Sequence, residues 1–318
     1  MSPWMTQKLS SITFLVVYDM LRLSVNLLSN VLSYLKEIKD IGSSASYKTV
    51  TFYHPYSVST VSLSELASCC GWVDFTDEYT NITMRGEQIL LQPGFGFTMQ
   101  RLKLMLHDYV LKVRPIWANR ILYGRKEAFI FMTKDEQACF LEAGLMDDEI
   151  SWDVVEWWDG LSMELRKLNN EKMNAIGRRG EELTIRYEYE RVGKKPVWIS
   201  VDSNRTGYDL ISHTDSSQST QLLIEVKAST MPVSQADFHI TRNEWQIAKT
   251  SSCYRFYVWC LAGNPSLAII TPEDMRYMIP IDQHSGEWET VKVPFSAFDN
   301  YFTVYCNKSM KEKPKVFG

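Results

Sequence analysis

A strand-like run that ends in charge, QLLIEVKAS at residues 221–229, constrains the fold more than any other stretch. Leu222-Leu223-Ile224 is continuously apolar, as in a strand covered on both faces. It runs straight into Glu225-Val226-Lys227. Residues i and i+2 of a strand share a face, roughly 7 Å apart, so Glu225 and Lys227 point the same way and Val226 points into the core. Such a strand needs a layer above and below it, and its carboxylate and ammonium need partners.

The flanking sequence supplies both. Residues 174–193 read as a helix with Ile176, Gly180, Leu183 and Tyr187 on one stripe. Gly177 and Gly180 weaken a helix, which suggests close approach of a neighbour. Gly177, Glu181, Thr184 and Glu188 share the adjoining face, so Glu181 sits at the edge of the buried stripe. VWISVD (197–202) and YDLIS (208–212) read as strands around an NRTG turn, with Asp209 near the start of the second. The Ser-rich stretch 212–221 reads as a hairpin loop returning into 221–229. FHIT (238–241) is a short strand. RNEWQIAKTS (242–251) is a helix capped by Thr241, with Glu244 either its capping partner or an acid behind a site. YRFYVWCLA and SLAIIT close the sheet. The expected order is α-β-β-β-α-β, a mixed sheet with helices on both faces.

This order places Asp209 beside Glu225 and Lys227, with Glu181 from the packed helix as a third acid and Glu182 its rival. Clustered carboxylates repel unless a cation lies between them, and oxygen ligands suit Mg²⁺ or Mn²⁺. A lysine beside an attacking water could stabilise charge on a phosphoryl oxygen.

Together, Glu181, Asp209 and Glu225-Val226-Lys227 resemble the PD-(D/E)XK nuclease superfamily. More narrowly, GRRGEE, GYDL, IEVKAS and ITRNEW resemble the C-terminal domain of the plant NO VEIN protein and of bacterial proteins linked to restriction or phage defence. The resemblance covers about residues 174–265. It implies a restriction-endonuclease-like sheet. It also implies Mg²⁺ (or Mn²⁺) held by Asp209, Glu225 and Glu181, and Lys227 assisting the attack of water on a phosphodiester.

The first half reads differently. Residues 12–39 pattern as one long helix. Asp19, Arg22, Asn26 and Asn30 interrupt its apolar run well short of the roughly 20 residues a membrane span needs, so no membrane role is expected. Ser62 and Glu65 form a capping-box pattern before a short helix near Leu63. A strand, a polar turn and a second strand through Ile89-Leu90 then give a winged-helix-like reading. A helix over 98–113 closes at Arg114-Pro115, and another covers 152–170. Within 101–126 stand seven cations, Arg101, Lys103, Lys112, Arg114, Arg120, Arg125 and Lys126, against one acid, Asp108. Residues 135–160 carry nine acids and no Lys or Arg. The two blocks either pair as solvated faces or leave the basic one to track a phosphate backbone.

The net charge of −4 announces no global nucleic-acid binder. Six cysteines without a C-x-x-C pair exclude the usual zinc spacing and fit reduced thiols in a cytoplasmic protein. The five histidines lack metal-ligand spacing, and no P-loop or G-x-S-x-G occurs. The reading is therefore an α/β (α+β) chain in two parts. Residues 1–170 form a mostly helical DNA- or partner-binding domain, and 171–318 a nuclease-like domain. The expected activity is metal-dependent DNA endonuclease chemistry in restriction or phage defence. RNA stays open as substrate, as do a homodimer and a defence-system partner. The alternative is a non-catalytic nucleic-acid-binding or adaptor subunit.

Overall fold

The computed structural model describes residues 23–41, 60–76, 79–202, 205–217, 219–282 and 286–305. The chain is a mixed α/β protein that divides into two compact units, Met1–Asn169 and Asn170–Gly318. The part of the predicted N-terminal helix before residue 23 lies outside the described residues.

The first unit is helical: α1 (Val25–Ile41), α2 (Thr60–Cys69), α3 (Met84–Leu90), α4 (Met99–Val113), α5 (Arg125–Phe131), α6 (Lys134–Glu142) and the start of α7 (Trp152–Val192). Its core gathers Leu28, Leu35, Trp72, Leu106, Phe140 and Leu161. Trp157 and Trp158 pack edge to face at 4.9 Å, and Trp158 stacks on Phe140, so this pair is packing. Arg114 ends α4 in the left-handed conformation (φ 57°), just before Pro115, which disfavours continuing the right-handed helix.

Two local expectations are corrected here. Helix α2 begins at Thr60, which puts Ser62 inside its first turn rather than at its cap. The second strand of the winged-helix reading is only β2 (Thr80–Ile82), paired antiparallel with β1 (Val73–Phe75). Residues 84–90 are helical because Thr83 caps them, accepting from the Gly86 N–H at 3.1 Å. Gly86 is needed there, since a Cβ would overlap the carbonyl oxygen of Trp72.

The second unit holds a six-stranded sheet of order β10-β8-β7-β5-β4-β3. Its strands are β3 (Val197–Trp198), β4 (Leu210–His213), β5 (Gln221–Ser229), β7 (Tyr254–Cys260), β8 (Ser266–Ile270) and β10 (Thr303–Val304). Only β5 and β7 run parallel, and the crossover between them carries β6 (Asp237–Thr241) and α8 (Arg242–Thr250). The expected α-β-β-β-α-β succession is present, with two differences. β6 leaves the sheet and pairs with β9 (Thr290–Pro294), because its alternating Phe238 and Ile240 bury one face only. Helix α7 runs unbroken for 41 residues, where the sequence reading had two helices.

Each face of the sheet has its own core. Leu222, Ile224 and Val226 pack with Leu183, Tyr257 and Trp259 on the α7 side. Leu223, Phe256 and Val258 pack with Phe238, Ile240, Ala248 and Phe295 on the other. Gly180 brings α7 onto β5: a Cβ there would lie 2.8 Å from Ala228 Cβ and 3.2 Å from Val226 Cγ1. The expectation of a close neighbour therefore holds at Gly180. Gly177 has open space.

Candidate active site

β4 stops at Leu210, opposite Ile224, while β5 continues to Ser229. Beyond Ile224 the β4 side of β5 has no strand partner, so the Val226 N–H would be left open. Asp209 fills the gap. Its own N–H donates to the Ile224 carbonyl at 2.8 Å, and its Oδ2 accepts from the Val226 N–H at 2.8 Å. The carboxylate thus extends the ladder by one acceptor and ends up beside Glu225.

The Gly-Tyr before Asp209 sets this approach. Gly207 has φ +73°, and a Cβ would lie 2.9 Å from Ile247 Cγ1 and 3.2 Å from Asn243 Nδ2, against the first turns of α8. The Gly207 carbonyl accepts from the Tyr254 hydroxyl at 2.6 Å. Asn243 Nδ2 donates to the Arg205 carbonyl at 3.1 Å. The turn is therefore pinned from both sides.

On β5, Glu225 is buried and Lys227 half-buried, on the face away from α7. Lys227 Nζ donates to Glu225 Oε1 at 2.8 Å and to Glu244 Oε1 at 3.0 Å. Glu244 also caps α8, its Oε2 accepting from the Thr241 N–H at 2.8 Å. The capping expectation for Glu244 is met, and its other oxygen contacts Lys227. A cleft of about 700 Å³ opens over the group, lined by Arg205, Gly207, Tyr208, Asp209, Glu225, Thr241, Asn243 and Glu244.

Glu225 and Glu244 share the Lys227 ammonium, and Asp209 feels its charge. Burial pushes the Asp209 carboxyl up to about 6, opposed by the Val226 N–H and aided by the charge of Glu181. Burial raises Glu225 well above the usual carboxylate range, with Lys227 pulling the other way. Burial disfavours the Lys227 charge, but Glu225 and Glu244 outweigh it and hold the ammonium above its ordinary value.

The structure does not bring Glu181 into the cleft. Helix α7 lies on the Val226 face, so Glu181 approaches from the side opposite Glu225. Its Oε2 accepts from Arg178 Nη1 at 2.8 Å, from the Trp198 indole and from the Ser200 hydroxyl. Glu182 points to solvent and pairs with Arg179 at 3.3 Å, so Glu181 is the inward acid of the two. The expected convergence of three carboxylates is thus corrected to Asp209 and Glu225, with Glu244 bound to Lys227. Among the described residues no group of three or more His, Cys, Asp or Glu is arranged to hold a metal ion.

Two carboxylates still fit a hard divalent cation. Asp209 Oδ1 and Glu225 Oε2 accept no hydrogen bond from the described residues, and neither is among their sealed, unpartnered atoms. Both residues line the cleft. Mg²⁺ is commonly held by one or two carboxylates, with water and substrate phosphate completing its octahedron.

The basic block of the first unit is partly spent inside. Arg101 is buried beneath residues 89–96, donating to backbone carbonyls. Arg125 donates to the carbonyls of Leu145 and Asp147, both at 3.0 Å. Lys103 pairs with Asp153 of the acidic block at 2.9 Å. Arg114 reaches Asn169, and Arg120 lies over the Phe131 ring. Only Lys112 and Lys126 are exposed without a described partner. His239 is an exposed residue of β6 opposite Lys292.

Residues 180–270 match the family model described as Protein NO VEIN, C-terminal. No curated protein and no solved structure matches. The NO VEIN-like segment starts at Gly180, the tight contact of α7 on β5, and ends with β8. It contains every residue lining the cleft and leaves 1–179 outside. Sequence reasoning missed Arg205, Tyr208 and Asn243 as cleft residues, since none carries a chemical motif. The signal for Tyr254 was the buried strand pattern alone.

A second polar group lies on the α7 face. Glu188, fully buried, accepts from Arg191, from the Tyr257 hydroxyl at 2.7 Å and from Ser212. All its acceptor positions are engaged by the fold. Glu188 is therefore an anchor between α7 and the sheet, not an open site.

Among the described residues five cysteines are free, and no helix is long and apolar enough to cross a membrane.

Proposed function

We propose that the second unit is a metal-dependent phosphodiesterase of the PD-(D/E)XK type, acting on DNA, in restriction or antiviral defence. The observation that carries this reading is the cleft itself. Asp209 and Glu225 each present a free oxygen, with Lys227 2.8 Å from Glu225. The order of helices and strands and the NO VEIN-like match support it.

In this reading Asp209 and Glu225 hold Mg²⁺ or Mn²⁺. The cation, when bound, offsets phosphoryl charge and favours ionisation of water. Lys227 faces the scissile phosphate and stabilises the charge that builds on its oxygen as water adds and the phosphorus–oxygen bond to the leaving group breaks. Glu244 fixes the Lys227 ammonium. Glu181 acts from behind, through Ser200, whose N–H donates to the Asp209 carbonyl at 3.1 Å. Double-strand cutting would need two such centres, and so a homodimer. The first unit would bind DNA or a defence-system partner, with RNA as the alternative substrate.

The test is cleavage of supercoiled plasmid with Mg²⁺ or Mn²⁺ against EDTA, beside Glu225→Ala/Lys227→Ala. Nicking or linearisation that needs both metal and the wild-type pair is expected. Metal-independent cleavage, or cleavage unchanged in the double variant, refutes the assignment. One observation favours a second reading, a non-catalytic nucleic-acid binder: the third acid, Glu181, is engaged by Arg178, Trp198 and Ser200. DNA affinity indifferent to Mg²⁺ and to Asp209→Ala, with no cleavage, would select it.

A further inference from the structure

The loop LQPGFGFT, residues 91–98, is built around a buried cation. Arg101 is 5% exposed and has no carboxylate partner among the described residues. Its guanidinium donates to the carbonyls of Gly94 (2.8 Å), Gly96 (2.5 Å), Leu90 (3.2 Å), Ile89 (3.3 Å) and Gln92. Gly94 (φ +98°) and Gly96 (φ +71°) provide the left-handed turns that direct their carbonyls inward.

This inward arrangement dictates what faces outward. In a trans peptide the C=O and the next N–H point in opposite directions. With the Gly94 and Gly96 carbonyls turned onto Arg101, the N–H groups of Phe95 and Phe97 point away from it. Neither donates a hydrogen bond among the described residues. Between them the Phe95 ring is fully exposed, while Phe97 packs on the core. Residues 88–107 contain no Asp or Glu.

The loop therefore combines an exposed aromatic face, two outward N–H donors, a positive charge beneath them with no carboxylate partner among the described residues, and no acid within its own segment. A knob made for an apolar protein pocket needs none of the last three. Bases stack on aromatic side chains, and phosphates accept from backbone N–H groups beside positive charge. We propose that this loop is a platform for single-stranded nucleic acid, with a base stacked on Phe95 and a backbone phosphate facing the Phe95 and Phe97 N–H groups. The proposal does not depend on the chemistry of the second unit.

The test is fluorescence anisotropy of a labelled oligothymidylate titrated with the full chain in EDTA at low salt. Phe95→Ala should weaken binding roughly 5- to 150-fold, the range for losing one stacked base. The salt dependence should stay as in wild type, since the phosphate contact is kept. Phe95→Trp should restore affinity, with its fluorescence quenched on binding. Phe95 makes no contact the fold needs, so these variants should unfold as wild type does. Unchanged affinity in Phe95→Ala, or no oligonucleotide binding by wild type at low salt, overturns the proposal. Loss of self-association in Phe95→Ala in place of strand binding also overturns it, and assigns the loop to a protein surface.

Discussion

Asp209→Asn should make the protein more stable at neutral pH while removing one of the two cleft carboxylates that present a free oxygen. Asparagine keeps an oxygen for the Val226 N–H and removes the charge that burial penalises. The Asp209 carboxyl titrates at about 6 in the fold, against 3.8 for an ordinary aspartate. At about 1.4 kcal/mol per unit, the ionised group costs the native state about 3 kcal/mol at neutral pH, or nearer 2 given its partial exposure. The sign follows from proton binding. Between the two values the native chain holds a proton that the unfolded chain has lost. Stability from this group is full below about pH 4, falls as pH rises through about 6, and is flat above. Urea denaturation of both proteins across about pH 4–8 reads the difference, in which other titrating groups cancel. The variant should match wild type at the acidic end and exceed it at the neutral end. Mg²⁺ or Mn²⁺ should raise the midpoint of wild type and leave that of the variant unmoved. A variant less stable than wild type at neutral pH, or a difference that does not change with pH, would refute the reasoning.

Two further substitutions test how the backbone delivers the site. Gly207→Ala adds a left-handed penalty of about 1–2 kcal/mol and overpacks Ile247 and Asn243, for about 2–4 kcal/mol in all. Urea midpoint and cation affinity should fall together, and a variant that loses neither shows the turn to be slack. Gly180→Ala should gain about 1 kcal/mol of helix propensity but lose about 1–3 to the 2.8 Å contact with Ala228. Adding Ala228→Gly should relieve the clash in a double-mutant cycle, and additive effects would sink that account.

Much of the second unit was legible because its signals are local. The apolar run 222–224, the parity of Glu225, Val226 and Lys227, and the Thr241–Glu244 cap each depend on neighbours a few residues apart. Glu181 was misplaced for a related reason. Its helical face could be read, but which face of the sheet that helix covers is a long-range choice. Val226 and Gly180 settle it by packing together, and Glu225 then faces the other way. Arg101 was misread too. A cation in a basic run looks exposed until the carbonyls of a glycine-rich loop are seen to converge on it.

The sequence by itself determined the secondary structure of 208–271 to within a few residues, the shared face of Glu225 and Lys227, and the capping role of Glu244, whereas the strand expected over 197–202 is only Val197–Trp198. Periodicity and capping are short-range physics, and a chain carries them in its own order. Tertiary structure alone decided that β5 outruns β4, so that Asp209 completes the ladder and leaves an oxygen free. It also decided that β6 departs to pair with β9, and that Lys227 is held between two carboxylates 19 residues apart in the chain. Those outcomes depend on burial and on satisfying each polar group at once, across segments whose spacing in sequence says nothing of their distance in space.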